Sequence, residues 1–367
     1  MTDAGGRIAG RLLPWFDENR RDLPWRQTSD PWAIWVSEVM LQQTRVEAVR
    51  AAFERFVQRF PTPAEFAAAS DDDLFSAWRG LGYYRRARLL RDGARAVVAN
   101  HGGVVPDAVL ALAALPGIGP YTLGAVASIA FARPEIAVDG NVERVVARHR
   151  GVRVATNTAI ARKSIRACVA RWLDHQRPGD FNQALMELGA MVCTPTSPVC
   201  TECPIAADCV ARTQRLVHEL PIRPKKPPPV QVTARVALAI GPSGALGGRI
   251  PAGEANGGQV ELPGAGMLTS VALDDLSPVL RKRFGARIDV GGVVASVRHA
   301  ITCHRIVLHA HAAEVREPGQ LIWFPIDDQT PWTTPSRKVF QKALGIDGEN
   351  GGKSDGESGG KSDGESG

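Results

Sequence analysis

Between residues 31 and 149, apolar residues recur three and four positions apart. They do so in PWAIWVSEVML (31–41), RVEAVRAAFERFVQRF (45–60), DAVLALAAL (107–115), YTLGAVASIAF (121–131) and NVERVVARH (141–149). That spacing puts an apolar stripe on one face of a helix, so residues 1–220 are predicted to be a helical domain. The stretch PIRPKKPPPVQ (221–231) has neither a helical nor a strand period and reads as a stiff, extended linker. Beyond it the period changes. VTARVALAI (232–240) and HRIVLHAHAAEV (304–315) are β-branched and partly alternating, which favours strands, and DDLSPVLRKRFG (274–285) is helical. A small α+β domain over 232–346 follows. The tail 347–367 repeats KSDGESG without apolar residues and is predicted not to fold alone.

Composition narrows the class. The chain has 367 residues, long enough for two domains, and no apolar run approaches the ~18 residues of a membrane span. The N-terminus lacks the charged-then-apolar plan of a signal peptide, so a cytosolic protein is expected. Net charge is +6, although the last twenty residues hold five carboxylates and only two lysines. The body of the chain is therefore more basic than the total implies, which suits a polyanionic partner.

Four of the six cysteines, Cys193, Cys200, Cys203 and Cys209, are spaced C-x6-C-x2-C-x5-C. Without an export signal this cluster argues for metal rather than disulfides. Its single C-x2-C in one compact loop suits a [4Fe–4S] cluster, with structural zinc the alternative of equal weight. Cys168 and Cys303 stand apart from other cysteines and read as small core residues. LPGIGPYT (115–122) reads as a tight hairpin opening onto a helix at Pro120. Gly117 and Gly119 would expose backbone amides to an anion there; an ordinary helix–helix turn is the plainer reading. Glu38 is the only charged residue in PWAIWVSEVML. On a buried face it would be desolvated and hold its proton near neutrality; on an exposed face it would be an ordinary glutamate. Asp139 precedes a helix, as N-caps do. Arg85, Arg86, Arg88, Arg91 and Arg95 follow Tyr83 and Tyr84, placing basic charge beside aromatics.

The cysteine spacing resembles the iron–sulfur loop of the endonuclease III and MutY-type DNA glycosylases. LPGIGPYT resembles the helix-hairpin-helix of that superfamily, and VDGNVERV (138–145) the segment after it. LPWR (23–26), SEVMLQQT (37–44), GLGYYRRARLL (80–90) and FNQALMELGAMVC (181–193) resemble its adenine-specific branch, with the likeness running from about residue 10 to 215. The resemblance implies a multidomain chain: an all-α glycosylase domain with its helix-hairpin-helix at 106–131 and a [4Fe–4S] loop at 193–209, then a Nudix-like domain. By resemblance Glu38 protonates adenine, Asp139 stabilises the sugar cation, and Tyr121 occupies the catalytic step where the lyase branch has lysine. Trp25, Arg26, Leu41, Gln42, Gln183 and Asn141 serve substrate binding, Gln43 and Tyr83 wedge into the base stack, and Gly117 and Gly119 hold a phosphate. A monovalent cation at the hairpin is a further cofactor that the resemblance admits.

In the C-terminal region ELPGAGM (261–267) resembles a Nudix-like segment, but Lys282 and Arg283 stand where a hydrolase needs glutamates for magnesium. That implies recognition rather than nucleotide hydrolysis. Val297-Arg298-His299 takes the place of a recognition loop, with His299 as its matching residue. His299, His304, His309 and His311 read as polar-face strand residues rather than a metal site. The expected activity is monofunctional removal of adenine paired with 8-oxoguanine or guanine in duplex DNA, by a monomeric, nucleoid-associated prokaryotic protein. The rivals are a bifunctional glycosylase/lyase, and a DNA-binding iron–sulfur protein without enzymatic activity.

Overall fold

The computed structural model describes residues 4–222, 228–251, 254 and 256–345; the tail over 347–367 and residues 223–227 of the linker lie outside them. Two compact units result, Met1–Pro227 with Ala252–Gly258, and Pro228–Pro251 with Gln259–Gly367.

The first unit is helical: α1 (Ala4–Asn19), α2 (Pro31–Leu41), α3 (Val46–Arg59), α4 (Pro63–Ala68), α5 (Asp71–Ala77), α6 (Arg85–His101), α7 (Val109–Ala113), α8 (Pro120–Phe131), α9 (Gly140–Arg150), α10 (Ala159–Trp172), α11 (Pro178–Met191) and α12 (Val210–Thr213). Local chemistry explains the boundaries. Asp30 caps α2 by accepting from the amides of Trp32 and Ala33 at 3.2 and 3.1 Å, with Pro31 at the first helical position. Thr62 and Glu65 form a reciprocal capping box on α4.

Two apolar cores divide this unit. One gathers side chains from Leu23 to Ala127, including the buried rings of Trp32, Trp35, Phe56, Phe66 and Trp78. The other joins α1, α9, α10 and α11 through Phe16, Val146, Trp172 and Phe181. The chain crosses between the cores after α8, and that crossing is tight. A Cβ on Gly124 of α8 would lie 2.0 Å from the Ile136 carbonyl oxygen. Backbone cannot yield as a flexible side chain does, so Gly124→Ala is expected to destabilise the protein by about 2 kcal/mol, measured by denaturant unfolding.

The second unit holds β1 (Val230–Leu238), β2 (Ile240–Gly241), β3 (Gly244–Arg249), β4 (Val260–Glu261), α13 (Leu276–Phe284), β5 (Arg287–Ile301), β6 (His304–Glu317), β7 (Ile322–Phe324) and α14 (Thr334–Leu344). β6 lies between β1, to which it is parallel, and β5, to which it is antiparallel. β3 pairs antiparallel with β2 through Gly244 and Ala245, with β7 through Ala245 to Gly247 and with β4 through Gly248 and Arg249. Both α13 and α14 pack on β5.

Several expectations change here. β1 begins at Val230, so the linker is shorter than its proline content suggests. Val297-Arg298-His299 is strand, not loop: these residues pair with Leu308, Val307 and Ile306 of β6, and the turn comes later, with Thr302 at φ +51°. Cys303 sits half-buried beside that turn rather than in the core. His311 is buried rather than on a polar face, because β5 shifts register between Val290 and Ala295 and leaves the Gly291 carbonyl 3.0 Å from His311 Nδ1. His309 Nδ1 lies 2.7 Å from Ser296 Oγ. Arg283 ion-pairs with Glu261 at 2.9 Å and donates to the Gly264 carbonyl at 2.8 Å, so a cation stands against the carboxylate there.

Candidate active site

Glu38 reaches its position because α2 is buried along nearly its whole length, from Trp32 to Met40. A helix with no solvent face leaves its one carboxyl nowhere to hydrate. Glu38 is 5% exposed, and Oε2 accepts a hydrogen bond from the Tyr121 hydroxyl at 2.5 Å. Burial pushes its pKa from an ordinary 4.5 up to about 7, against the lowering effect of the Tyr121 bond. The Asp139 charge raises it further, and Arg26 opposes. Tyr121 comes from the first turn of α8, and its hydroxyl also lies 3.3 Å from Met186 Sδ on α11. Burial first, then the Glu38 charge, holds the phenol well above its usual range, so it stays a donor.

Asp139 caps α9, with Oδ1 accepting from the Val142 amide and Oδ2 from Asn141 Nδ2, each at 2.8 Å. Burial raises its pKa; those bonds and Arg144 pull the other way. The donors are fixed in turn. Arg144 donates to Asn141 Oδ1 at 2.8 Å, to the Gly189 carbonyl at 2.6 Å and to the Cys193 carbonyl at 2.7 Å. Asn182, fully buried, accepts from the Ala137 amide at 3.0 Å and donates to Ser128 Oγ and the Glu135 carbonyl. The segment leading to Asp139 is thereby tied to α8 and α11. Two carboxyl groups are thus placed for different work: Glu38 holds a proton near neutrality, while Asp139 is surrounded by donors that favour its anion.

Other candidates are distributed around this pair. Trp25 is buried edge-on against Phe53. Arg26 is committed to protein: its guanidinium bonds both carboxylate oxygens of Glu187 at 3.0 and 2.9 Å and the Arg21 carbonyl at 3.1 Å. Gln42 donates to Thr122 Oγ1 at 3.3 Å, and Leu41 and Gln183 are half-buried. Gln43 and Tyr83 are both exposed and both left-handed, at φ +57° and +49°. Arg86 joins their two segments. It donates to the carbonyls of Val39, Met40 and Gln42 on one side and of Leu81 and Gly82 on the other, beneath the Tyr83 ring. Arg91 likewise turns inward, to Asp71 and the Ala69 carbonyl, so only part of the arginine run faces solvent.

The hairpin joins α7 to α8. Gly117 has φ +81° and would bring a Cβ to 3.0 Å from Leu89 Cβ, so glycine is required there by conformation. Gly119 is extended, at φ −90° and ψ 175°, with open space where a Cβ would stand. Glycine at 119 therefore offers close approach to the first-turn amides of α8 rather than an unusual dihedral.

Cys193, Cys200, Cys203 and Cys209 line one cavity with Val145, Leu188, Val192 and Ile205, beside Arg148 and His149. Among the described residues no three His, Cys, Asp or Glu side chains gather closely enough to hold a single metal ion. Burial pushes the Cys203 thiol up to about 12. Arg148 lies 3.4 Å from Cys193 Sγ and bonds the carbonyls of Thr194 and Pro195. His149 is 4% exposed with neither ring nitrogen bonded, which costs about 1–3 kcal/mol unless something fills the cavity.

Residues 36–169 match the family described as HhH-GPD superfamily base excision DNA repair protein. That stretch is similar to the HhH-GPD family. The chain is 45% identical over 219 residues to the adenine DNA glycosylase of Homo sapiens, covering 57% of this chain and 40% of that protein. It is 45% identical over 197 residues to the adenine DNA glycosylase of Mycobacterium tuberculosis, covering 53% of this chain and 64% of that one. The chain thus spans less than half the length of the human relative it matches. A thermostable thymine-DNA glycosylase superposes with a TM-score of 0.52 at 28% identity, over 56% of this chain and 95% of that one.

The stretch that matches the family contains Glu38, Tyr121 and Asp139, while Met186, Asn182 and the cysteines lie beyond its last matched residue. Sequence reasoning missed Met186, Asn182, Arg144 and Glu187. Only Glu187 carried a signal: it is the one charged residue in ALMELGAM (184–191), the same pattern that marked Glu38. Among the described residues no helix is long and apolar enough to cross a membrane.

Proposed function

We propose that this chain is a monofunctional adenine DNA glycosylase that hydrolyses the N-glycosidic bond of adenine mispaired with 8-oxoguanine or guanine in duplex DNA. The observation that carries the reading is the buried Glu38 carboxyl, which burial raises to about 7 and which accepts a hydrogen bond from the Tyr121 hydroxyl, with the Asp139 carboxyl close enough to act on it electrostatically. The chemistry is that of glycoside hydrolysis, with an acid on the leaving group and a carboxylate at the anomeric carbon. Glu38 gives its proton to adenine, making it a leaving group. Asp139 supports the positive charge that grows on the sugar as the C–N bond breaks, and water completes hydrolysis. Tyr121 has no amine to form a Schiff base, which favours hydrolysis without strand cleavage.

Extruding the adenine is the work of Gln43 and Tyr83, whose left-handed, exposed placement suits a wedge between base steps. The α8 amides beside Gly117 and Gly119 bind a backbone phosphate, and Gln183 with the half-buried Leu41 contacts the base. The cysteine cavity is the place for a [4Fe–4S] cluster: four thiols, an apolar lining and the unbonded His149 nitrogens fit a group rich in sulfur acceptors. Bound there, the group would brace the loop from which Arg144 and Arg148 take carbonyls. The second unit serves as a Nudix-like domain inspecting the opposite base through His299, and not as a hydrolase, since Arg283 neutralises Glu261.

Purified protein should release adenine from a duplex carrying one 8-oxoguanine:adenine pair, with breaks appearing only after alkali. No release, or efficient nicking without alkali, overturns the reading. Tyr121→Phe is expected to slow release about tenfold, the worth of one hydrogen bond. Because the Tyr121 bond lowers the Glu38 pKa, its loss should move the alkaline limb of the pH–rate profile to higher pH.

A further inference from the structure

His149 stands in the last turn of α9, enclosed by the cysteine cavity on one side and by Trp172 on the other, whose ring meets it edge-on at 4.8 Å. Its neighbours do not satisfy it. Arg148, next in the chain, spends its guanidinium on the Leu220, Cys193, Thr194 and Pro195 carbonyls and on Cys193 Sγ. Both imidazole nitrogens are buried from solvent and neither has a hydrogen-bond partner. An imidazole always presents at least one N–H, and a native protein rarely leaves such a group unbonded. The other groups that line the cavity are apolar side chains, arginines and the four thiols, and among these only sulfur accepts a hydrogen bond.

We infer that His149 donates a ring N–H to sulfur of the group held by Cys193, Cys200, Cys203 and Cys209, and so sets that group's reduction potential. The inference rests on the [4Fe–4S] reading of the cavity. A donor pointed at cluster sulfur stabilises the more electron-rich state, so it raises the potential without becoming a ligand. His149 is thus a positioning and tuning residue, distinct from the Arg144 chain that leads to Asp139.

The test uses full-length protein purified without oxygen, as wild type, His149→Leu and His149→Gln. Iron and sulfide content of the wild type is measured first; protein that takes up zinc, or no iron, overturns the cluster reading and this inference with it. With iron present, voltammetry should place His149→Leu at a more negative potential than wild type, and His149→Gln, which keeps an amide donor, between the two. A wild-type potential in His149→Leu with full iron overturns the inference and leaves the cluster reading standing. Should His149→Leu lose its iron, 15N-histidine-labelled wild type decides. Its paramagnetic form should show a hyperfine coupling to one imidazole nitrogen that His149→Gln lacks, and absence of that coupling overturns the proposal.

Discussion

Glu38→Gln is expected to lower single-turnover adenine release about 100- to 10,000-fold, the range that one positioned general acid supplies. Duplex binding should be nearly unchanged, since the amide keeps the size of the carboxyl. The pH profile gives a second reading. With Glu38 at about 7, the protonated fraction falls as pH rises through neutrality, so the wild-type rate should decline on the alkaline side. On the acid side the rate should fall as Asp139, raised above its ordinary 3.8, takes up a proton. Stability follows the same direction with pH as the alkaline limb. The folded-state pKa of Glu38 lies above that of the unfolded chain, so its contribution is intact below about pH 4.5 and is lost as pH rises through 7. Glu38→Gln should therefore be more stable than wild type at pH 8, by about 2–3 kcal/mol, in thermal unfolding. An equally active Gln variant would remove the general-acid assignment.

Replacing Glu187 by Gln is expected to have the largest effect on stability. Glu187 is 1% exposed and receives both oxygens' worth of bonds from Arg21 and Arg26, between 2.8 and 3.0 Å. Burial by itself would raise its pKa, yet the bonds from Arg21 and Arg26 overcome it and hold the carboxyl at about 2. Removing one partner leaves two guanidinium groups without a counter-charge. Breaking a buried pair this way costs about 3–5 kcal/mol; Arg21 is a third exposed, so we expect the lower end, about 3 kcal/mol. The same linkage gives the pH dependence. With a folded pKa near 2 against an ordinary 4.5, the pair stabilises the protein above pH 4.5 and ceases to do so as pH falls through 2. Urea unfolding at pH 7 and pH 3 should show wild type losing stability on acidification and Glu187→Gln losing less. Equal pH slopes in the two proteins would count against it.

Glu38 and Glu187 show where a linear reading stops. Glu38 is the lone charge in α2 and Glu187 the lone charge in residues 184–191 of α11, and each signals burial equally well. Only the fold tells them apart: Glu38 meets a neutral hydroxyl donor and is driven toward 7, while Glu187 meets two cations and is held near 2. The sequence pattern misread positions 297–299 for a related reason. Nothing in Val297-Arg298-His299 reveals that β6 offers a continuous partner through residue 304, which keeps those residues in a ladder. α14 is legible in the same way, with Val339, Phe340 and Ala343 at helical spacing on the face that packs on β5, yet the short run between turn residues does not announce it.

The chain itself determined the two textures joined at residue 230, the glycine hairpin before α8, the cap at Asp139 and the four-cysteine spacing. These are local: period, dihedral freedom and short-range hydrogen bonding are written within a few residues of one another. What only the tertiary structure decided was which groups share a desolvated space. Residues 38, 121 and 186 meet in a buried space within the electrostatic reach of residue 139, and residue 149 of α9 comes to face cysteines from a loop more than forty positions later. Charge state and hydrogen bonding depend on that enclosure, because a carboxyl or an imidazole takes its character from whatever replaces its water.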